Sequence, residues 1–149
     1  MEGAGTRLES DAVLRQENAA VLRCYLAAWS GPDVEAIGDT LHHEIDFELG
    51  FVAPGVPERI TGKASVMTFL RAVPSTIGPM NFHEVSISTL EDPAELVAEY
   101  RGQTVALATD RPYRNRYITR ARVENGKIRR FAEFSNPLIF MDAFGSEAG

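Results

Sequence analysis

The sequence predicts an α+β domain in which helices come first, strands follow, and the helices cover one face of a curved, mostly antiparallel sheet. Three observations carry this expectation. Apolar residues recur at helical spacing over 21–29, and they alternate in steps of two over 45–49. Turn signals then divide residues 80–136 into four strand-like segments. A sheet bent around three N-terminal helices makes a cone-shaped α+β barrel. Its concavity is the natural place for a small ligand.

The elements are justified in chain order. The two ends are rich in Gly, Ala and Glu and are expected to fray, over 1–5 and 146–149. Thr6 and Glu9 have the spacing of a capping box, so the first helix is expected to start there or at Ser10 and to reach about Ser30. Val21, Leu22, Tyr25, Leu26 and Trp29 form its buried stripe, and Gly31-Pro32 ends it. Asp33 caps a short second helix reaching about Leu41. Ile45, Phe47 and Leu49 mark a strand with one apolar side, followed by a loop over 53–57. Thr61 is expected to cap a third helix from Gly62 to Val73, stopped by Pro74. Strands near 80–91, 95–109, 113–124 and 127–136 are separated by Glu91-Asp92-Pro93, Asp110-Arg111-Pro112 and Glu124-Asn125-Gly126. The Asn-Gly pair signals a tight hairpin, because both residues accept positive φ. Pro137 to Phe144 reads as a closing helix that ends at Gly145.

A chain of 149 residues with 44% hydrophobic and 24% charged residues has the size and composition of one globular domain. Its net charge of −6 argues against nucleic acid or an anionic membrane as partner. Cys24 is the only cysteine, which excludes an internal disulfide and fits a reducing cytoplasm. On an apolar helix it reads as a small buried hydrophobe. The N-terminus lacks a basic start followed by an apolar run, so no secretory signal is expected, and no apolar stretch approaches membrane-spanning length.

The order helix, short helix, strand, Gly-capped helix and long meander resembles the superfamily of nuclear transport factor 2, ketosteroid isomerase and SnoaL-like polyketide cyclases. The resemblance covers about residues 10–145 and implies one such domain over 1–149. The run Glu124-Asn125-Gly126-Lys127-Ile128-Arg129-Arg130, then Glu133-Phe134, Asn136 and Ala143-Phe144-Gly145, resembles the ending of the phenazine-biosynthesis A/B proteins. Tyr113-Arg114-Asn115-Arg116-Tyr117 and the spacing from Gly62 to Asp92-Pro93 are similar too. That family's acid/base glutamate falls on Glu133, while its partner histidine falls on Phe69. The catalytic aspartate of limonene-epoxide hydrolase also matches Glu133, but its arginine–aspartate pair falls on Tyr100 and Gly102. The helix-one tyrosine of ketosteroid isomerase matches Tyr25. Its base falls on Leu49 and its second oxyanion donor near Thr119.

Strand alternation adds a reading of its own. On strand 113–123, Tyr113, Asn115, Tyr117 and Thr119 share one side, and Arg114, Arg116, Ile118 and Arg120 share the other. The arginine side is expected to face solvent or a second subunit. On the last strand Arg129, Phe131, Glu133 and Ser135 share a side, which the resemblance makes the pocket side. A carboxyl group in an apolar hollow has its charged form disfavoured, which brings its pKa toward neutrality and suits it to proton transfer. Glu133 and Tyr25 are the candidate catalytic residues, with Tyr25 supporting a developing oxyanion. Phe47, Leu49, Phe69, Tyr100, Asn115 and Tyr117 are the candidate substrate-binding residues. A salt bridge to Arg129 is the bland alternative for Glu133. His42-His43-Glu44 and His83-Glu84 suggest no metal site, because adjacent residues rarely converge on one ion. The expectation is a cofactor-free enzyme of small-molecule secondary metabolism, an isomerase, cyclase or condensation catalyst, and by resemblance a cytoplasmic homodimer. The alternative is a ligand-binding or scaffolding protein of the same fold, which the loss of the family histidine and the isomerase base favours.

Overall fold

The computed structural model describes residues 3–31 and 33–145, with side chains from Glu9 onward. Most residues of the ends expected to fray, and Pro32, lie outside that range. Four α-helices and six strands follow one another as α1 (Gly3–Ala28), α2 (Val34–Gly38), β1 (Leu41–Gly50), β2 (Arg59–Thr61), α3 (Lys63–Ala72), β3 (Asn81–Thr89), β4 (Glu95–Ala106), β5 (Arg111–Glu124), β6 (Lys127–Ser135) and α4 (Pro137–Phe144). The sheet has the order β2-β1-β6-β5-β4-β3, and every pairing is antiparallel except β1 with β6. This is the α+β, curved, mostly antiparallel architecture that the sequence predicts. Among the described residues no helix is long and apolar enough to cross a membrane.

The differences have local causes. Helix α1 is already helical at Gly3, so Thr6 and Glu9 lie inside it and do not mark its start. Helix α2 ends at Gly38 and not at Leu41, because Leu41 is taken up at the head of β1, paired with Ile128. Asp33 caps α2 as expected, accepting from the Glu35 N–H at 2.9 Å. The short β2 had no expectation; it contains Thr61, so the cap position of α3 passes to Gly62, which has a φ of 85° and no side chain to cap with. Helix α3 ends at Ala72, ahead of Pro74 as expected, and Pro74 itself sits in a 3-10 turn over Val73–Ser75, where its missing N–H costs no bond. The hairpin at Asn125-Gly126 has both residues at positive φ, 52° and 75°, and joins Glu124 to Lys127. Helix α4 has the expected bounds, with Asn136 accepting from the Leu138 N–H at 2.9 Å.

The core lies between α1, α3 and the concave face of the sheet. Leu22, Tyr25 and Leu26 of α1 pack with Val66 and Leu70 of α3 on Ile45, Phe47 and Phe131. Cys24 points away from this stripe and is exposed, contrary to the buried role expected of it. The expected alternation holds over 113–120 of β5: Tyr113, Asn115, Tyr117 and Thr119 are buried, and Arg114, Arg116, Ile118 and Arg120 are exposed.

Gly102 on β4 lets aromatic rings come close. A Cβ there would meet the Tyr117 ring at 2.8 Å and the Met80 Sδ at 3.0 Å. Both neighbours are buried and cannot simply swing away. Gly102→Ala should therefore destabilise the fold by about 1–3 kcal/mol through overpacking. In thermal unfolding this reads as a Tm roughly 2–4 °C lower per kcal/mol. An unchanged Tm would show that the ring has room to move.

Candidate active site

Glu133 stands near the end of β6, in the middle of the sheet, paired in register with Leu49 on β1 and Thr119 on β5. Its side chain shares the inner face with Phe131, whose ring meets Tyr25 at 4.8 Å and stacks on Phe47 at 5.1 Å. Beside these rings a cavity of about 360 Å³ opens. That volume lies at the lower end of the range of roughly 300–1,000 Å³ found for small-molecule sites. Its floor includes Glu133, Tyr25 and Tyr117, and its walls include Phe47, Leu49 and Phe69. The loop over 52–57 and Phe140 and Phe144 of α4 complete the enclosure.

Among the described residues lining the cavity, Glu133 carries the one carboxyl group, and no Lys, Arg or His is present. Arg129, the alternative partner, lies 3.9 Å from Glu124 instead. Glu133 is half-buried, and because it lines the cavity its accessible surface faces the hollow. Burial pushes its carboxyl up from the ordinary value of 4.5 to about 7, against a smaller downward pull from a hydrogen bond with Tyr100. The Tyr100 hydroxyl donates to Oε2 at 2.9 Å and lies 2.5 Å from Thr119 Oγ1.

Tyr25 comes from the last turn of α1 and is 1% exposed. Desolvation first, and then the charge of Glu133, hold its hydroxyl well above the usual range, so it remains a protonated donor. Tyr117 is raised for the same two reasons and by Tyr113. The buried indole N–H of Trp29 has no partner in hydrogen-bonding geometry, yet its pull on the Tyr25 oxygen is the one influence lowering that pKa. Trp29, Tyr113, Phe82 and Met80 also line the cavity. Sequence reasoning passed over Trp29 because its place on the α1 stripe reads as core.

Two expected lining residues lie elsewhere. The Asn115 amide is spent on structure: Nδ2 donates to the Tyr113 hydroxyl and the Asn136 carbonyl, both at 3.0 Å, and Oδ1 accepts from the Arg116 N–H at 2.9 Å. It ties β5 to the start of α4 and does not face the cavity. Tyr100 stands behind Glu133, its ring stacked on Tyr117 at 5.3 Å. It bears on the carboxyl and not on the cavity wall. A bulge in β1 spans five residue steps, Leu41 to Asp46, where β6 takes two, Ile128 to Arg130. The bulge brings the ligand atoms of His42, His43 and Glu44 within 4.8 Å of one another, closer than adjacency alone implies. His42 Nδ1 there accepts the Glu44 N–H at 3.0 Å, and none of the three residues lines the cavity.

This geometry has counterparts. The chain is 27% identical over 124 residues to the uncharacterized Bacillus subtilis protein YesE, covering 83% of this chain and 84% of that one. It is 27% identical over 107 residues to an uncharacterized PhzA/B-like protein of Pseudomonas aeruginosa, covering 72% and 75%. A crystal structure described as a candidate isomerase from Bacillus subtilis superposes with a TM-score of 0.83 at 26% identity, covering 89% of this chain and 95% of that one. The SnoaL-like domain family matches residues 22–131, which include α1 from Leu22, β1 through β5 and β6 as far as Phe131, and the chain belongs to that family.

Proposed function

We propose that the protein is a cofactor-independent acid/base enzyme that isomerises, cyclises or condenses a small ring-containing or carbonyl-bearing molecule. The observation that carries this reading is Glu133: one carboxyl in an apolar, aromatic cavity, held close to half-protonated at neutral pH. Such a group takes a proton from carbon and gives it back with little penalty either way. As the carbon acid loses its proton, charge moves onto the carbonyl oxygen, and the Tyr25 hydroxyl is a donor that can meet it there. The absence of cationic side chains from the lining disfavours carboxylate and phosphate substrates, whose charge would be desolvated unpaired. The family likeness adds a homodimer to the proposal, with the exposed outer face of β5 as the subunit face, and the single Cys24 fits a cytoplasmic setting.

A second reading, ligand binding without turnover, is favoured by Phe69 and Leu49 lining the cavity at the positions where the resemblance expects the family histidine and the isomerase base. One experiment separates the two. Cyclic ketones are incubated with the protein in D2O, and exchange of the hydrogens next to the carbonyl is followed by NMR. Glu133→Gln should slow exchange by about 10²–10⁴-fold, the usual contribution of a general base. A ketone that binds but exchanges equally fast with both proteins would leave only the binding reading.

The same carboxyl makes stability depend on pH. Its pKa is raised in the fold, from 4.5 to about 7, so the fold favours the protonated form. Ionisation begins to cost stability above about pH 4.5, and the cost is complete once pH exceeds about 7. At full value it is on the order of 3 kcal/mol. Glu133→Gln cannot ionise, and its amide oxygen can still accept from Tyr100. Its stability relative to the parent should therefore rise between pH 5 and pH 8 by up to that amount, read from urea midpoints. An equal difference at both pH values would mean that the carboxyl is not desolvated.

A further inference from the structure

The two oxygens of Glu133 are treated differently. Oε2 accepts the Tyr100 hydroxyl at 2.9 Å, and that hydroxyl lies 2.5 Å from Thr119 Oγ1. Tyr100 is 3% exposed and Thr119 is 0% exposed, so the pair is sealed behind the carboxyl. Among the described residues Oε1 has no hydrogen-bond partner, yet it is not sealed: the one sealed side-chain polar atom there without a partner is Trp29 Nε1. Glu133 lines the cavity, and Oε1 is the oxygen left to face it.

Hydrogen counting fixes the direction of the chain. A phenol has one hydrogen, and an ionised carboxylate only accepts. The Tyr100 hydrogen therefore goes to Oε2, and the 2.5 Å contact requires Thr119 to donate its own hydrogen to the Tyr100 oxygen. A proton taken up on Oε1 leaves Oε2 as a carbonyl-type acceptor, so the chain need not rearrange. The sheet holds the parts in place: Thr119 pairs in register with Glu133 on one side and with the small Ala98 on the other.

We propose that Tyr100 and Thr119 are positioning residues that keep Oε2 as a fixed acceptor and reserve Oε1 as the oxygen that exchanges a proton with substrate. The inference rests on the reading of Glu133 as the acid/base group. In the forward step the substrate C–H bond breaks, its electron pair stays with the substrate, and the proton goes to Oε1. In the return step the Oε1–H bond breaks and the proton goes to carbon. The titratable groups whose charge is felt between them and Glu133 are all tyrosines: Tyr25 from α1, Tyr100 from β4, and Tyr113 and Tyr117 from β5. From β1 and α3 the cavity side receives Leu49, Phe69 and Leu70, which do not titrate.

The test follows the Glu133 titration by 13C NMR of protein labelled at the glutamate side-chain carboxyl, with Glu133→Gln identifying the signal. Tyr100→Phe should move the midpoint upward, because the ionised form loses a donor. Thr119→Val should also move it upward, because Tyr100 loses the bond that strengthens its donation, and Thr119→Ser should restore the parent value. A downward move in Thr119→Val would overturn the proposal, since it would mean that the Tyr100 hydrogen had been pointing at Thr119 and was released onto Glu133. An unchanged midpoint in Thr119→Val would overturn it as well. If Tyr100→Phe does not fold, the two Thr119 variants still decide. The titration needs no substrate. The expected order of midpoints without any exchange of ketone hydrogens would remove the catalytic reading of Glu133 and leave the hydrogen-bond chain standing.

Discussion

The carboxyl of Glu133 lies on the inner face of a sheet whose outer face carries Arg114, Arg116 and Arg120, all exposed. Only the alternation of the strand keeps these cations out of the cavity. A slip of one residue in β5 would turn three guanidinium groups inward and Tyr113, Tyr117 and Thr119 outward. An arginine beside the carboxyl would pull its pKa below the ordinary value, where burial now pushes it to about 7. The register of β5 is therefore a condition for the chemistry as well as for the fold. Two devices hold it. The Asn125-Gly126 turn fixes the pairing of Glu124 with Lys127, and the Asn115 amide ties the other end of the strand to Asn136.

The aromatic cluster serves the same constraint. Tyr100 and Tyr117 stack, and Phe82 meets both edge-on at 5.0 and 5.5 Å. Gly102 leaves the space that these rings occupy. Rings packed this way shield the carboxyl, and two of them, Tyr100 and Tyr117, carry hydroxyls. Because desolvation raises the tyrosines as well, they remain donors over any pH at which Glu133 changes charge. The cavity thus contains one group that titrates near neutrality, amid others that do not.

The architecture was legible because its signals are periodic. From Tyr113 to Arg122, steps of two on β5 separate arginines from tyrosines, and Pro137 with Gly145 brackets α4. Glu133 could be placed on the inner side by its spacing from Phe131 once the resemblance had said which side is inner. What could not be read were distances across strands. Asn115 and Tyr100 share the inner face with the cavity residues, and alternation cannot tell whether an inward side chain reaches the hollow or is consumed by a neighbour. In Asn115 the amide is used up by Tyr113, Arg116 and Asn136; in Tyr100 the hydroxyl is used up by Thr119 and Glu133. Boundaries differ for a related reason: local pattern assigns Leu41 and Thr61 to helices, and strand pairing claims both.

On the proposed reading, the apolar Phe69 in the cavity wall narrows the chemistry. Among the described lining residues the cavity holds one group that both accepts and returns a proton at neutral pH, and no second base stands opposite it. Activating a water would need further polar groups around it, and the Tyr100 hydroxyl is already engaged. A single carboxyl that must be reset by its own substrate fits reactions in which the proton taken from one atom is delivered to another in the same turnover. Isomerisation and ring closure meet that condition without a co-reactant. A condensation meets it only when the leaving group accepts the proton that Oε1 has taken.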